Sequence, residues 1–187
     1  MRCVLLVASL LLCQCASGTR NSAPPICPED GYVLRTVIRH VLDGKPTSTN
    51  QILVLYGQTL GDQLLDAERD LQFRDDALRA FRSRNLSMES LPVCFSEEPI
   101  VIAAPSLIQR IGRSPAGANE NQQFATTFPK ASGVYSFHLP GYTSDGKRAL
   151  VHYMWTAGPL AVESVWVSLV KHSDTWTIEW QEVDWAS

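Results

Sequence analysis

The spacing of apolar residues predicts two helices in the first half of the chain. The first begins near Pro28 and ends at Asp43-Gly44-Lys45-Pro46, where glycine can cap a helix and proline cannot continue one. The second runs from Asp62 to Arg84, with acids at its start and arginines at its end, as the helix dipole favours. The residues with helical spacing are Leu34, Val37, Ile38, Val41 and Leu42, then Leu64, Ala67, Leu71, Leu78 and Phe81.

Short apolar runs elsewhere predict strands. Three lie at 52–56, 93–95 and 100–102, and the stretch 112–123, rich in Ser, Pro, Gly, Asn and Gln, predicts a loop. The last third is dense in aromatic and β-branched residues separated by turn signals, which predicts a four-stranded antiparallel meander. Its strands are predicted at 134–139, 148–155, 162–170 and 176–185.

Helices first and strands later favour an α+β fold. We expect two N-terminal helices packed on an antiparallel sheet, in one domain over 28–187 after a flexible lead-in at 19–27. Cystatin-like and NTF2-like folds have this general layout. That comparison is an analogy of architecture and implies no function.

The first eighteen residues have the three regions of a secretory signal peptide. One positive charge, at Arg2, precedes an apolar run that is too short to span a bilayer, and small residues follow it. Ala16 and Gly18 place the expected cut before Thr19, which predicts a secreted or periplasmic protein. A lipoprotein anchored through Cys13 or Cys15 remains the alternative.

Two of the five cysteines, Cys27 and Cys94, follow the leader. In an exported chain this predicts one disulfide between them, because oxidising compartments favour disulfide formation. Two buried free thiols are the alternative, since cysteine also packs well as a small apolar residue.

Composition removes several classes of function. The net charge of −3 gives no basic face for nucleic acid or anionic membrane, and no apolar stretch reaches transmembrane length. Nucleophile-elbow, phosphate-loop, zinc-protease and dinucleotide motifs are absent from the sequence, so it predicts no cofactor and no metal site.

Two histidines are the candidate catalytic residues. If Phe137 lies opposite Tyr153, strand alternation places His138 opposite His152 on the other face. A three-residue loop at 144–146 gives this register, and a two-residue turn would separate the histidines. One interpretation is a pair that shares a proton or a metal; the other is a partly exposed pair of sheet residues that Gln could replace for less than about 1 kcal/mol.

Five tryptophans lie in the meander. Trp176, Ile178 and Trp180 alternate onto one face and are predicted to be core. Trp166 and Trp185 fall on the opposite face, where they would form an aromatic platform for a sugar or peptide or would pack beneath the helices. Asn85-Leu86-Ser87 matches an N-glycosylation acceptor, a motif that also arises by chance.

Residues 128–187 resemble the C-terminal part of a family of small, mostly uncharacterised secreted bacterial proteins that end in a Trp-x-Ser strand. The residues that carry the resemblance are Gly141-Tyr142, Ala149-Leu150-Val151, Gly158, Lys171, Trp176 and Trp185-Ala186-Ser187. The resemblance implies export and an α+β fold, and no reaction. A cysteine pair typical of the family is missing here, where Ala157 and Ala161 stand nearby.

Two hypotheses of function follow. The first is an exported, non-catalytic domain that binds a small ligand or a peptide. The second is a small hydrolase or metal-dependent enzyme that uses His138 and His152.

Overall fold

The computed structural model describes residues 28–44, 52–61, 76–91, 99–112, 120–157 and 161–186. The predicted leader, the lead-in, the 93–95 strand and both Cys27 and Cys94 lie outside these ranges. The helices are α1 (Pro28–Asp43), α2 (Asp76–Arg84), α3 (Pro105–Gly112) and α4 (Glu120–Thr127). The strands are β1 (Ile52–Tyr56), β2 (Ile100–Ala103), β3 (Ala131–Phe137), β4 (Gly141–Tyr142), β5 (Arg148–Thr156), β6 (Val162–His172) and β7 (Thr175–Ala186).

α1 confirms the first predicted helix. The side chains of Leu34, Val37 and Ile38 are fully buried in the main core, which they form with one face of the sheet. Gly44 donates its backbone N–H to the carbonyl oxygen of His40 at 3.0 Å, which satisfies one of the last carbonyls of the helix.

α2 confirms the C-terminal part of the second predicted helix, whose start at 62–75 lies outside the described residues. Ala77 and Phe81 are buried and Leu78 packs beside them. They pack with Leu150 and Trp166, on the sheet face opposite α1.

The seven described strands form one mixed sheet in the order β2-β1-β3-β5-β6-β7, with β4 paired to β5. β1 is parallel to both β2 and β3, so the expectation of a wholly antiparallel sheet was wrong for these three strands. Parallel strands need long crossover connections. α2 lies in the connection between β1 and β2, and α3 and α4 lie in the connection from β2 to β3, which are on opposite sides of β1. The unbroken apolar run of β1 is typical of a strand that is covered on both faces.

α3 and α4 were not predicted, so the described part of the chain has four helices rather than two. The expected loop over 112–123 was wrong for 120–123, where α4 begins. Phe124 and Phe128, four residues apart, pack with tilted rings whose centroids are 5.3 Å apart. They also pack with Ile111 of α3 and Val54 of β1. α4 has only two apolar residues, Phe124 and Ala125, so it has no apolar stripe that the sequence pattern could show.

β3, β5, β6 and β7 are antiparallel neighbours, which confirms the predicted meander. Phe137 lies opposite Tyr153 as predicted, with ring centroids 5.5 Å apart. The loop is longer than predicted, because the Thr143 backbone N–H bonds to the Arg148 carbonyl and encloses residues 144–147.

The longer loop changes the register by one residue. Gly141 pairs with Leu150, whereas the register of Phe137 with Tyr153 would pair it with Ala149. The shift of one residue occurs in the irregular segment 138–140 between β3 and β4. The predicted cross-strand partners therefore meet, although the predicted loop length was wrong.

β7 contains two bulges. Ser164 pairs with Trp185 while Val165 pairs with Val183, which leaves Asp184 as the extra residue. A similar shift makes Glu179 the extra residue between the pairings of Ile178 and Trp180.

The bulge at Glu179 reverses the alternation of side chains along β7. Trp176 and Ile178 pack against the α1 core, but Trp180 packs with Phe81 and Trp166 on the other face. The prediction that all three alternate onto one face was wrong for Trp180.

A polar junction joins both helix layers at one end of the sheet. The guanidinium of Arg84, at the end of α2, bonds both carboxylate oxygens of Asp30 in the first turn of α1, at 3.0 and 2.6 Å. Tyr142 of β4 donates its hydroxyl to the same carboxylate at 2.8 Å, and Arg84 also bonds the Pro140 carbonyl. Asp30 is buried, so these donors replace the water it would lose.

Gly141 allows β4 to lie directly against α2. A Cβ atom at this position would overlap the backbone nitrogen of Phe81 and the carbonyl oxygen of Ala77, neither of which can move independently of the helix. Any larger residue must therefore push α2 away from the sheet.

We predict that Gly141→Ala lowers the free energy of unfolding by about 2–3 kcal/mol, the usual range for overpacking. The control is Gly146→Ala, since Gly146 has φ of 66° and no atom near its Cβ position. That change adds only left-handed backbone strain, about 1 kcal/mol. Chemical denaturation measures both, and a loss at Gly141 no larger than at Gly146 would contradict the close approach.

Candidate functional site

His138 and His152 face each other as the strand register predicts. Their Nδ1 atoms are 2.9 Å apart, and the backbone N–H of His138 bonds the carbonyl of His152. The expectation that they are partly exposed was wrong: their exposed fractions are 0% and 1%. α2 covers them: the ring centroids of Phe81 and His138 are 5.2 Å apart. On the sheet, the ring centroids of Trp166 and His152 are 4.5 Å apart.

The two histidines belong to a longer buried chain of hydrogen bonds. Nε2 of His138 lies 2.8 Å from the carbonyl oxygen of Gly61. Nε2 of His152 lies 2.7 Å from the hydroxyl of Ser164, which is 1% exposed. All four ring nitrogens therefore have protein partners.

The position of Gly61 is fixed by its neighbours. Leu60 donates its backbone N–H to the carbonyl of Phe137 at 3.0 Å, which ties this segment to the end of β3. Gly61 has φ of 64°, a left-handed conformation that favours glycine, and its carbonyl reaches the His138 ring. The acceptor at this end of the chain is therefore part of the backbone.

Asp184 lies beside Ser164, at the other end of this chain of hydrogen bonds. Burial raises the pKa of its carboxyl group, and the neighbouring Ser164 hydroxyl opposes this rise. The bulge makes Asp184 the extra residue beside Ser164, and its Oδ2 is buried without a hydrogen-bond partner.

Sequence reasoning missed Ser164, Asp184 and Gly61. Ser164 had a signal, because it interrupts an apolar strand on the same face as Trp166 and His152. Asp184 had none, since regular alternation gives no indication of a bulge. Gly61 comes from a distant segment whose approach to β3 is a tertiary contact.

Both histidines are held in the neutral form. Burial lowers the pKa of His138 to about 4, although hydrogen bonding to the backbone of Gly61 and His152 opposes it. Burial lowers the pKa of His152 to about 3, and repulsion from His138 lowers it further. At neutral pH each ring therefore carries one hydrogen, and His152 is a weak base.

The two tryptophans expected on this face have different surroundings. Trp166 is buried and packs edge-on against Phe81, with ring centroids 5.0 Å apart. Trp185 is 40% exposed near the end of β7, opposite Ser164. The two indoles share a face but do not form one exposed platform.

Asn85, the predicted glycosylation acceptor, is fully buried. Its amide nitrogen donates to the carbonyls of Phe81 and Leu139, and its amide oxygen accepts from the Leu139 backbone N–H at 2.7 Å. The folded protein cannot carry a glycan on this side chain without breaking these bonds.

Among the described residues, no group of three or more His, Cys, Asp or Glu side chains is arranged to hold a metal ion. In the same part of the chain, none of the helices combines the length and hydropathy that crossing a bilayer requires. Comparison with protein-family models, with curated proteins and with solved structures found no match. The resemblance of 128–187 to secreted bacterial proteins thus stays a prediction.

We predict that stability depends steeply on pH through His138 and His152. The unfolded chain, with histidine pKa values near 6.5, binds more protons than the folded chain as the pH falls toward 4. The free energy of unfolding should therefore fall with falling pH, by up to about 1.4 kcal/mol per pH unit for each histidine.

Urea denaturation at pH 7, 6 and 5 measures this slope. His138→Gln with His152→Gln should flatten it. Because both rings are buried and bonded, the double variant should also lose more at pH 7 than the 1 kcal/mol expected of partly exposed residues. His172→Gln, at the exposed end of β6, is the control. Parallel curves for wild type and the double variant would contradict the assignment.

Proposed function

We propose that this chain is an exported, non-catalytic binding domain, and that the C-terminal half of β7 is its binding surface. The main support for this proposal is that two large apolar side chains are exposed there, Val183 at 51% and Trp185 at 40%. β7 also lies at one end of the strand order, so its outer backbone groups face no other described strand. Export rests on the leader pattern at 1–18.

The partner that suits this surface is an extended peptide segment. Between its two bulges β7 keeps a regular ladder over residues 180–183, which offers a short length of backbone for pairing with an added strand. Val183 and Trp185 pair with opposite faces of β6 and would contact alternate side chains of that segment. Glu182, which directly precedes Val183, is exposed and favours a partner with basic residues.

A library of displayed linear peptides tests this proposal. We expect enrichment of segments that alternate apolar residues with Lys or Arg. Trp185→Ala should weaken a selected peptide about 30-fold, the usual effect of removing a central aromatic contact of about 2 kcal/mol.

Val183→Ser should also weaken binding, and Val101→Ser is its matched control. Val101 is 37% exposed on β2, at the other end of the strand order. Equal losses from these two variants, measured by titration calorimetry, would place the binding surface elsewhere. Selected peptides without basic residues would contradict the proposed charge preference.

A second candidate, a serine hydrolase, is favoured by one specific observation. The buried chain has the order of a catalytic triad, with Ser164 as nucleophile, His152 as base and His138 as orienting group. The Ser164 hydroxyl is 2.7 Å from Nε2 of His152, and Nδ1 of His152 is 2.9 Å from Nδ1 of His138. The burial of Ser164 and the pKa of about 3 of His152 weigh against it, because a nucleophile needs access and a base works best near the ambient pH.

Labelling with a fluorophosphonate probe separates the two candidates. We expect no adduct on Ser164 by mass spectrometry at neutral pH. An adduct at full occupancy, absent from Ser164→Ala, would establish the hydrolase and remove the non-catalytic proposal.

A further inference from the structure

The positions of the hydrogens in the buried chain follow from its fixed end. The Gly61 carbonyl can only accept, so Nε2 of His138 carries the hydrogen between them. In a neutral ring Nδ1 of His138 is then bare, and the hydrogen in the 2.9 Å contact belongs to Nδ1 of His152. Nε2 of His152 is bare in turn, so Ser164 donates its hydroxyl to it.

Ser164 has one hydroxyl hydrogen and two neighbours that can accept it, His152 and Asp184. While His152 is neutral, the hydrogen points to its Nε2. If the histidine pair gains one proton, Nε2 of His152 acquires a hydrogen, whichever ring is written as the cation. Ser164 must then accept from His152 and turn its own hydrogen toward the Asp184 carboxylate.

From this geometry we infer that His138, His152, Ser164 and Asp184 form a binding site for a single proton, whose occupation turns the Ser164 hydroxyl from His152 to Asp184. Only hydrogens move in this step, so the heavy atoms keep their places. The proton comes from water, and the positive charge it brings is balanced by the Asp184 carboxylate. A second proton would put hydrogens on both Nδ1 atoms across a 2.9 Å contact, which forces the rings apart.

Among the described residues, the charged groups on the helix and strands around the pair bind other partners or lie away from it. On α2, Arg84 is bound to Asp30, and Asp76 accepts the backbone N–H of Ser144. On β6, Glu163 pairs with Trp155 and acts on the pKa of Tyr153 on the α1 side of the sheet. On β7, Glu182 lies opposite Trp166 and is exposed, so Asp184 is the described carboxylate that lies beside Ser164.

The tautomers of the wild-type protein test the inference without any substitution. Long-range nitrogen–proton NMR spectra at pH 7 should show His138 with its hydrogen on Nε2 and His152 with its hydrogen on Nδ1. On acidification both nitrogens of one ring should become protonated in a first step that leaves the backbone amide spectrum folded, and unfolding should accompany a second step. A hydrogen on Nδ1 of His138 at pH 7, or unfolding with the first step, would overturn the inference.

Two variants test the role of Asp184. Asp184→Asn removes the carboxylate that balances the added charge, so the first step should move about one pH unit lower. Glu182→Gln, the matched control two residues away on the same strand, should leave it in place. Equal shifts in the two variants would show a general effect of negative charge on β7 and would refute the single-proton site.

Discussion

The buried carboxylate of Asp30 fixes how the two helix layers meet the sheet. Asp30 lies in the first turn of α1, which packs on one face of the sheet. It binds Arg84, the last residue of α2, which packs on the other face. Water does not reach the buried carboxylate to replace Arg84. Removing either Asp30 or Arg84 would therefore leave the other charge uncompensated, at a cost of about 3–5 kcal/mol. The position of α2 in turn places Phe81 and Asn85, and hence the cover over the histidines.

That cover determines the chemistry of the site. An imidazole at a sheet surface would titrate near neutral pH, whereas the two beneath α2 stay neutral because no water reaches them to stabilise a charge. Their orientation is set by a backbone carbonyl, which cannot change its protonation or act as a donor. A buried chain in which all four ring nitrogens are bonded makes one arrangement of the core much more favourable than its competitors.

The parts of the fold that depend on local pattern were predictable, and those that depend on distant contacts were not. The stripe of α1, the four strands of the meander and the pairing of Phe137 with Tyr153 all follow from regular spacing of apolar residues. The parallel pairing of β1, the helices α3 and α4, and the bulge at Asp184 depend on contacts between separate segments. The histidine pairing could be predicted for the same reason as the register, but its burial required knowing that α2 crosses that face.

Asn85 also bears on how the protein can be produced. A eukaryotic secretory host attaches glycans while the chain is still unfolded, when the Asn85-Leu86-Ser87 acceptor is accessible. A sugar on the amide nitrogen would replace a hydrogen that the native fold needs for the carbonyls of Phe81 and Leu139. Expression in such a host would therefore trap the modified fraction outside the native state, while a host that does not glycosylate this motif would leave the amide free to form its bonds.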